Sequence, residues 1–136
     1  METNEGRVYF ALDGDGFDPD QLTKFLGIEP TSIIRKGSKV PGEIPKMSTW
    51  ELSTNNVVNE CIDVFEMASE IVNKLKPVKH LIIQAKERFN VSPRLEVVLW
   101  FSANDEHSTP TIGFELDTVE FLGEVGAFID IDTYKH

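Results

Sequence analysis

Alternating apolar and polar residues predict two long strands in this chain, at Arg7–Asp13 and Arg94–Ser102. In the first strand, Val8, Phe10 and Leu12 share one side of the period-two pattern. The second strand carries apolar residues on both of its sides. We therefore expect it to be a central strand with some cover on both faces of the sheet.

Shorter segments combine strand-forming residues with flanking turn residues. They predict strands at Ser32–Arg35, Ser48–Ser53, Thr111–Leu116 and Ala127–Thr133. Glycines and prolines between the first two of these predict a loop over residues 36–47. The basic residues of that loop indicate a solvated segment rather than a binding site.

Apolar residues at helical spacing predict the main helix at Val57–Leu75, with Asn55 or Asn56 as its N-cap. Cys61 is the single cysteine of the chain and falls on the apolar side of this helix. We therefore expect a buried core thiol rather than a nucleophile. A single cysteine also excludes an internal disulfide.

Capping residues predict two shorter helices, and a third segment is ambiguous. The pair Asp18-Pro19 supplies an N-cap and a first-turn proline for a helix that ends before Gly27. Asp117 is predicted to cap a helix that ends near residue 125. Residues 78–89 fit either a strand or a helix, and we favour the helix.

The order of these elements predicts an α+β fold. Strand pairs joined by short loops and mixed with helices indicate a largely antiparallel sheet of five to six strands, with helices packed mainly on one face. We expect a single domain at residues 7–134, preceded by a disordered tail at residues 1–6. A chain of 136 residues can bury about two-thirds of its unfolded surface.

The acidic residues are concentrated at the two ends of the chain. The formal net charge is −10, yet residues 35–94 hold ten Lys or Arg against seven Asp or Glu. Residues 1–34 hold seven acids against two bases, and residues 95–136 hold nine against one. This balance disfavours nucleic-acid binding, which needs a basic surface, and favours a basic partner.

Several features predict a cytoplasmic protein without membrane contact. No apolar run is long enough to span a bilayer. The first residues lack the basic and apolar regions of a signal peptide. The single cysteine fits a reducing compartment.

Several short motifs, taken in order, resemble a known family. They are the N-terminal strand followed by Asp15-Gly-Phe-Asp-Pro19, the turn Leu26-Gly-Ile-Glu-Pro-Thr31, Lys36-Gly37, Trp50, and the closing Gly126-Ala-Phe-Ile-Asp-Ile-Asp-Thr-Tyr134. From about residue 7 to 134 the chain is similar to the bacterial domain of unknown function 4279 family. The resemblance implies a bacterial cytosolic α+β domain and transfers no activity or catalytic residue. Small acidic bacterial proteins are often immunity proteins, which is an association at the level of a class.

Two Asp-rich segments offer the best material for chemistry. Asp130 and Asp132 are two residues apart in a predicted strand, so both side chains point to one face. With Asp13 and Asp15 they could supply the converging carboxylates that a hard divalent cation needs. In the simpler alternative, Asp18 caps a helix, Asp13 and Asp15 hold a Gly-rich turn, and the last pair faces solvent.

Patterns typical of enzymes are missing from the sequence. No phosphate-binding loop is present, and no serine lies in a nucleophile-elbow motif. His80 and His107 lie in polar contexts where solvent exposure is the ordinary explanation. These observations argue against an enzyme and predict no cofactor.

We predict a non-catalytic domain that binds a basic protein partner through its acidic surface. An immunity or inhibitor protein against a basic bacterial toxin is the most concrete case. The side chains expected to bind the partner are Asp15, Asp18, Glu120, Glu124, Asp130 and Asp132.

Two other hypotheses stay open. One is a divalent-metal-dependent hydrolase or small-ligand binder that uses the carboxylates of Asp13, Asp15, Asp130 and Asp132. The other is an accessory domain whose partner packs on Trp50 or Trp100. A monomer and a weak homodimer are both compatible with the sequence.

Overall fold

A computed structural model describes residues 3–38 and 44–136. Six strands form one sheet: β1 (Glu5–Gly14), β2 (Ser32–Ile34), β3 (Ser48–Ser53), β4 (Val57–Val58), β5 (Val91–Phe101) and β6 (Phe128–Lys135). Four α-helices accompany them: α1 (Pro19–Leu26), α2 (Val64–Leu75), α3 (Lys79–Arg88) and α4 (Leu116–Val125). The fold is α+β, as predicted.

The sheet has the strand order β2-β3-β1-β5-β6, and the short β4 pairs with the start of β1. All neighbours are antiparallel except β5 and β6, which are parallel. A parallel pair needs a crossover connection, which the segment containing α4 provides. As a result β6 is an edge strand, with β5 as its one partner in the described sheet.

The helices pack on one face of the sheet and create the hydrophobic core there. Val8, Phe10 and Leu12 of β1 point into this core and are fully buried. Trp50 of β3 is also fully buried, and its indole N–H donates to Thr23 Oγ1 of α1 at 3.1 Å. Tyr9, Ala11 and Val98 belong to a separate small cluster on the opposite face.

The local capping signals of α1 are confirmed. Asp18 Oδ1 accepts a hydrogen bond from the backbone N–H of Asp20 at 3.0 Å, and Pro19 begins the helix. Gly27 ends it in the left-handed conformation, with φ of 73°. The ambiguous segment after Pro77 is helical, because it forms α3 after a single 3-10 turn at Lys76–Val78.

The main helix begins at Val64, so its predicted start at Val57 is wrong, and neither Asn55 nor Asn56 caps it. Val57 and Val58 instead pair with the start of β1. The side chain of Asn59 then accepts a hydrogen bond from the backbone N–H of Cys61 at 2.8 Å. Such local bonds compete with the helical ladder.

Cys61 consequently lies in a loop and is exposed, so the predicted buried thiol is also wrong. Ile62 reaches the core from that loop and is 3% exposed. Of the apolar positions before Val64, only Ile62 is buried, whereas Val58 and Cys61 are exposed, because the backbone there is not helical.

The strand predicted at Thr111–Leu116 does not form. Thr111 makes an isolated bridge with Asp63, and its N–H donates to Ile62 O at 2.9 Å. The free side of β5 is taken by β6, so this segment has no place in the sheet. Glu115, rather than Asp117, occupies the N-cap position of α4.

The N-terminal boundary of the fold also differs from expectation. Residues 3–6 were expected in a disordered tail, but β1 starts at Glu5. Asn4 is buried, and its side-chain N–H group donates to the backbone oxygens of Glu60 and Ser108. Residues 1–2 of the expected tail and residues 39–43 of the expected loop lie outside the described residues.

In residues 3–38 and 44–136, no helix is both long enough and apolar enough to cross a membrane. The longest helix there, α2, has 12 residues. A bilayer-spanning helix needs about 20.

A pair of glycine substitutions tests the packing around the loop that follows Thr111. A Cβ added at Gly113 would overlap the ring of Phe65, whereas a Cβ at Gly123 inside α4 meets nothing within 4 Å. We expect Gly113→Ala to lower the free energy of unfolding by about 1–3 kcal/mol through overpacking. Gly123→Ala should raise it by about 0.5–1 kcal/mol through helix propensity. Urea denaturation measures both, and equal effects of the two changes would contradict this packing.

Candidate functional site

The face of the sheet opposite the helices carries a dense polar surface, which we call the open face. Alternation along the strands places six carboxyl groups there against two guanidinium groups. The acids are Glu5, Asp13, Glu51, Glu96, Asp130 and Asp132, and the bases are Arg7 and Arg94. Local charge on this face is therefore strongly negative.

Arg94 is the centre of a hydrogen-bonded network on the open face. Its Nε and Nη2 donate to Asp13 Oδ2 and Oδ1 at 2.9 and 3.1 Å, a bidentate contact. Its Nη1 donates to Glu96 Oε1 at 2.5 Å and to the hydroxyl of Tyr9 at 3.3 Å. Thr49 Oγ1 of β3 donates to Asp13 Oδ1 at 2.8 Å, so the network spans three strands.

This network is largely withdrawn from water. The side chains of Arg94 and Asp13 are 19% and 16% exposed, and the guanidinium of Arg7 covers the Tyr9 ring at 4.5 Å. Burial opposes the charge on Arg94, but hydrogen bonds to Asp13, Tyr9 and Glu96 outweigh it and raise the pKa of Arg94. The cation is held firmly, because each of its three nitrogens donates at least one hydrogen bond within the network.

Three carboxyl groups converge beside this network, at the edge of the sheet. The parallel register places Asp130 opposite Glu96 and Asp132 opposite Val98. One oxygen from each of Glu96, Asp130 and Asp132 lies within 4.8 Å of the other two. We call these three residues the carboxylate cluster.

Glu96 is the buried member of the carboxylate cluster, with 2% exposure. Its Oε1 accepts from Arg94, while Oε2 is buried without any hydrogen-bond partner among the described residues. Burial raises the pKa of Glu96 to about 7; the hydrogen bond from Arg94 lowers it, and Asp132 and Asp130 raise it further. A buried acceptor without a partner lowers the stability of the folded protein, and a bound proton or cation would remove that cost.

An aromatic pair lies on the open face near the C-terminal ends of β5 and β6. Trp100 and Tyr134 lie opposite each other in the β5–β6 register, and their rings stack at 5.0 Å with an interplanar angle of 23°. Trp50, by contrast, is fully buried under α1 and presents no surface to a partner. Of the two tryptophans proposed from the sequence, only Trp100 can contact another molecule.

The structure divides the acids predicted to bind a partner among three places. Asp15 and Asp18 form ion pairs with Lys36 and Arg35, on the β2 side of the sheet. Glu120 and Glu124 lie on α4, on the helical side of the molecule, and Glu124 pairs with Lys79 of α3 at 2.5 Å. Asp130 and Asp132 lie on the opposite edge from Asp15.

Asp13 and Asp15 do not join Asp130 and Asp132 directly. β5 lies between β1 and β6, so Asp13 reaches the cluster only through Arg94 and Glu96. Sequence reasoning missed Arg94, Glu96 and Tyr9 as site residues. The sequence did contain a signal for two of them, because Arg94 and Glu96 interrupt the otherwise apolar strand β5. A buried charge lowers stability unless it is paired, so two charges in such a strand indicate a pair.

Ser102 and His107 make the described contact that most resembles a nucleophile and its base, with Ser102 Oγ 2.6 Å from His107 Nδ1. Ser102 Oγ also accepts from the backbone N–H of Asn104 at 3.1 Å, and His107 Nε2 faces Asn104. A catalytic triad needs a third group that orients the base. Here the group next to His107 Nε2 is the amide of Asn104, at 3.4 Å, and the contacts together close a polar turn.

Removal of Arg94 should destabilise the protein, because it leaves buried acids without a cation. We expect Arg94→Met to lower the free energy of unfolding at pH 8 by about 3–5 kcal/mol, because Asp13 and Glu96 lose their partner. Arg35→Met is the matched control, since its ion pairs with Asp18 and Asp20 are solvent-exposed. A change as large in the control as in Arg94→Met would contradict the network.

Neutralising Glu96 should change how stability depends on pH. Its folded pKa lies above the ordinary value of 4.5, so the folded state binds the extra proton and stability falls as pH rises from about 4.5 through 7. The groups that face it are Arg94 on its own strand, Tyr9 on β1, and Asp130 and Asp132 on β6. We expect Glu96→Gln, measured in EDTA, to be more stable than the wild type at pH 8 by up to about 3 kcal/mol.

That difference should disappear near pH 4.5, where the wild-type carboxyl is already protonated. Glu70→Gln on the surface of α2 serves as the control and should show no such trend. A Glu96→Gln effect that is the same at both pH values would show that the titrating group is another residue.

Comparison with known proteins places the chain in one family. No curated protein and no solved structure gives a significant match. The family model described as "Domain of unknown function (DUF4279)" matches residues 2–136, essentially the whole chain. The chain therefore belongs to the domain of unknown function 4279 family, as the motifs indicated.

Proposed function

We propose that this domain is a non-catalytic binding protein that docks a basic protein segment along β6. The observation that carries the proposal is the composition of this edge strand. Asp130 and Asp132 form no ion pair among the described residues, and exposed apolar side chains flank them. Phe128 is 56% exposed and Tyr134 is 48% exposed.

The backbone of β6 supports this surface. Its eight residues pair with β5 on one side, which leaves the other side of the strand open within the described sheet. Such edges are templates for an added strand, where main-chain hydrogen bonds give affinity and alternate side chains give specificity. Ile129 and Ile131 on the helical side are about two-fifths exposed and would add apolar contact.

Charge favours a basic partner over a second copy of the chain. Two β6 strands side by side would bring the carboxylates of Asp130 and Asp132 close to their own counterparts, which is unfavourable. A strand carrying Lys or Arg at alternate positions would pair with them instead and associate faster at low salt. On this argument the free protein is a monomer or at most a weak homodimer.

An immunity or inhibitor protein that binds a basic bacterial toxin is the specific form of this proposal. It includes a bacterial, cytoplasmic setting, which suits the exposed free thiol of Cys61. Of the six acids expected at the interface, we retain Asp130 and Asp132 as the ones that contact the partner. Asp15, Asp18 and Glu124 already have cationic partners within the molecule, and Glu120 lies on α4 with Glu124.

The metal-dependent hydrolase is the weaker alternative. Asp13 is held by Arg94 and Asp15 by Lys36, so two of its four expected ligands are engaged. The described residues also bring no nucleophile and oriented base next to Asp130 and Asp132.

Charge reversal on β6 tests the proposed docking. We expect Asp130→Lys with Asp132→Lys to lower the association rate of the basic partner by 10-fold or more, with a smaller effect on dissociation. The partner is first captured with tagged wild-type protein, and its binding kinetics are then measured by surface plasmon resonance. Binding of the wild type should weaken steeply between about 50 and 500 mM salt.

The control is Glu66→Lys with Glu70→Lys, which makes the same change in charge on α2. Equal losses in the two double variants would show that net charge, rather than β6, controls association. Binding that is insensitive to both salt and the β6 substitutions would refute the docking model.

A further inference from the structure

We propose that Glu96, Asp130 and Asp132 form a binding site for one hard divalent cation, with Ca²⁺ as the best-fitting ion. The isolated protein would bind this ion without any protein partner. Two observations support it: the three carboxyl groups converge, and the buried Oε2 of Glu96 accepts no hydrogen bond from residues 3–38 and 44–136.

The backbone holds the three ligands without help from flexible loops. Glu96 and Asp130 occupy paired positions of two parallel strands, and Asp132 follows two residues later on the same face. Their ligand oxygens lie within 4.8 Å of one another. Ca²⁺ binds oxygen at about 2.3–2.6 Å, so one ion can contact oxygens up to about 5 Å apart, whereas Mg²⁺ at about 2.1 Å needs a tighter set.

Arg94 aims the buried ligand. Its Nη1 donates a hydrogen bond to Glu96 Oε1 at 2.5 Å. This contact leaves Oε2 as the oxygen turned away from the guanidinium. Oε2 is buried and accepts no hydrogen bond from the described residues. An ionised oxygen in that position needs a positive charge or a donor close to it, and a cation shared with Asp130 and Asp132 supplies one.

Arg94 cannot neutralise the carboxylate cluster by itself. Its Nε and Nη2 are bound to Asp13, and Nη1 serves Glu96 and Tyr9. Arg94 thus pairs with two carboxyl groups, Asp13 and Glu96, and no described cation pairs with Asp130 or Asp132. The exposed position of Asp130 leaves room for water to complete the coordination shell of an ion.

Titration of the metal-free protein with CaCl₂ tests the site. With EDTA-treated full-length protein at pH 8, we expect calorimetric binding of one Ca²⁺ with a dissociation constant on the order of 10⁻⁴–10⁻³ M, since three protein ligands make a weak site. The melting temperature should rise with Ca²⁺ and less with Mg²⁺ at equal concentration. Tb³⁺ provides a second readout, because Trp100 and Tyr134 lie on the same face and can sensitise its luminescence.

Glu96→Gln and the double variant Asp130→Asn with Asp132→Asn should each weaken Ca²⁺ binding at least 10-fold and abolish the Tb³⁺ signal. Glu70→Gln on α2 should leave both unchanged. Circular dichroism and melting in EDTA establish that the variants are folded.

Absence of heat, melting shift and luminescence up to about 10 mM Ca²⁺ would overturn the proposal, because even weak extracellular-type sites are filled at that level. Binding that survives both variants would also overturn it, since the ion would then be elsewhere. Neither result decides whether a partner docks on β6, because docking is measured separately, in EDTA, and tested by charge reversal.

Discussion

The antiparallel pairing of β1 with β5 is the constraint on which the rest of the molecule depends. It runs along the full length of β1, from Glu5 opposite Trp100 to Gly14 opposite Val91. On one face this register aligns the apolar side chains that the helices cover. On the other face it places Tyr9 beside Glu96, and it brings Asp13 of β1 within reach of Arg94. A shift of one residue would exchange the two faces and expose the core.

The open face shows how a central strand can carry charge on a side that no described helix covers. Arg94 and Asp13 form a bidentate pair, which is covered by the Tyr9 ring and hydrogen-bonded by Thr49 of β3. Such a pair adds little net stability, since desolvation offsets the attraction, but loss of either partner is costly. The network therefore fixes where each carboxylate points more than it strengthens the fold. Glu96 is the residue in which this arrangement is incomplete, because one of its oxygens has no hydrogen-bond partner in the part of the chain that the structure describes.

The edge strand β6 combines both proposals in one place. Its exposed side chains and the side of its backbone that is open in the described sheet suit a protein partner, while Asp130 and Asp132 also complete the carboxylate cluster with Glu96. Cation and partner both supply positive charge to the same acids, so binding of one would weaken the electrostatic attraction of the other. The two acids of β6 lie beside Glu96 because the crossover through α4 places β6 parallel to β5, at the edge of the sheet.

The sequence by itself determined those features that depend on residues close together in the chain. Period-two alternation located β1 and β5, strand-forming residues between turn residues located β3 and β6, the Asp18-Pro19 pair started α1, and the motif order identified the family. It failed at Val57–Val58, where pairing with β1 overrides helical spacing, and at Thr111, where β6 already occupies the edge of β5. Only the tertiary structure decided which acids meet. Asp130 joins Glu96 rather than Asp13, because contact across a sheet is set by strand order and register, and neither is encoded in the local pattern.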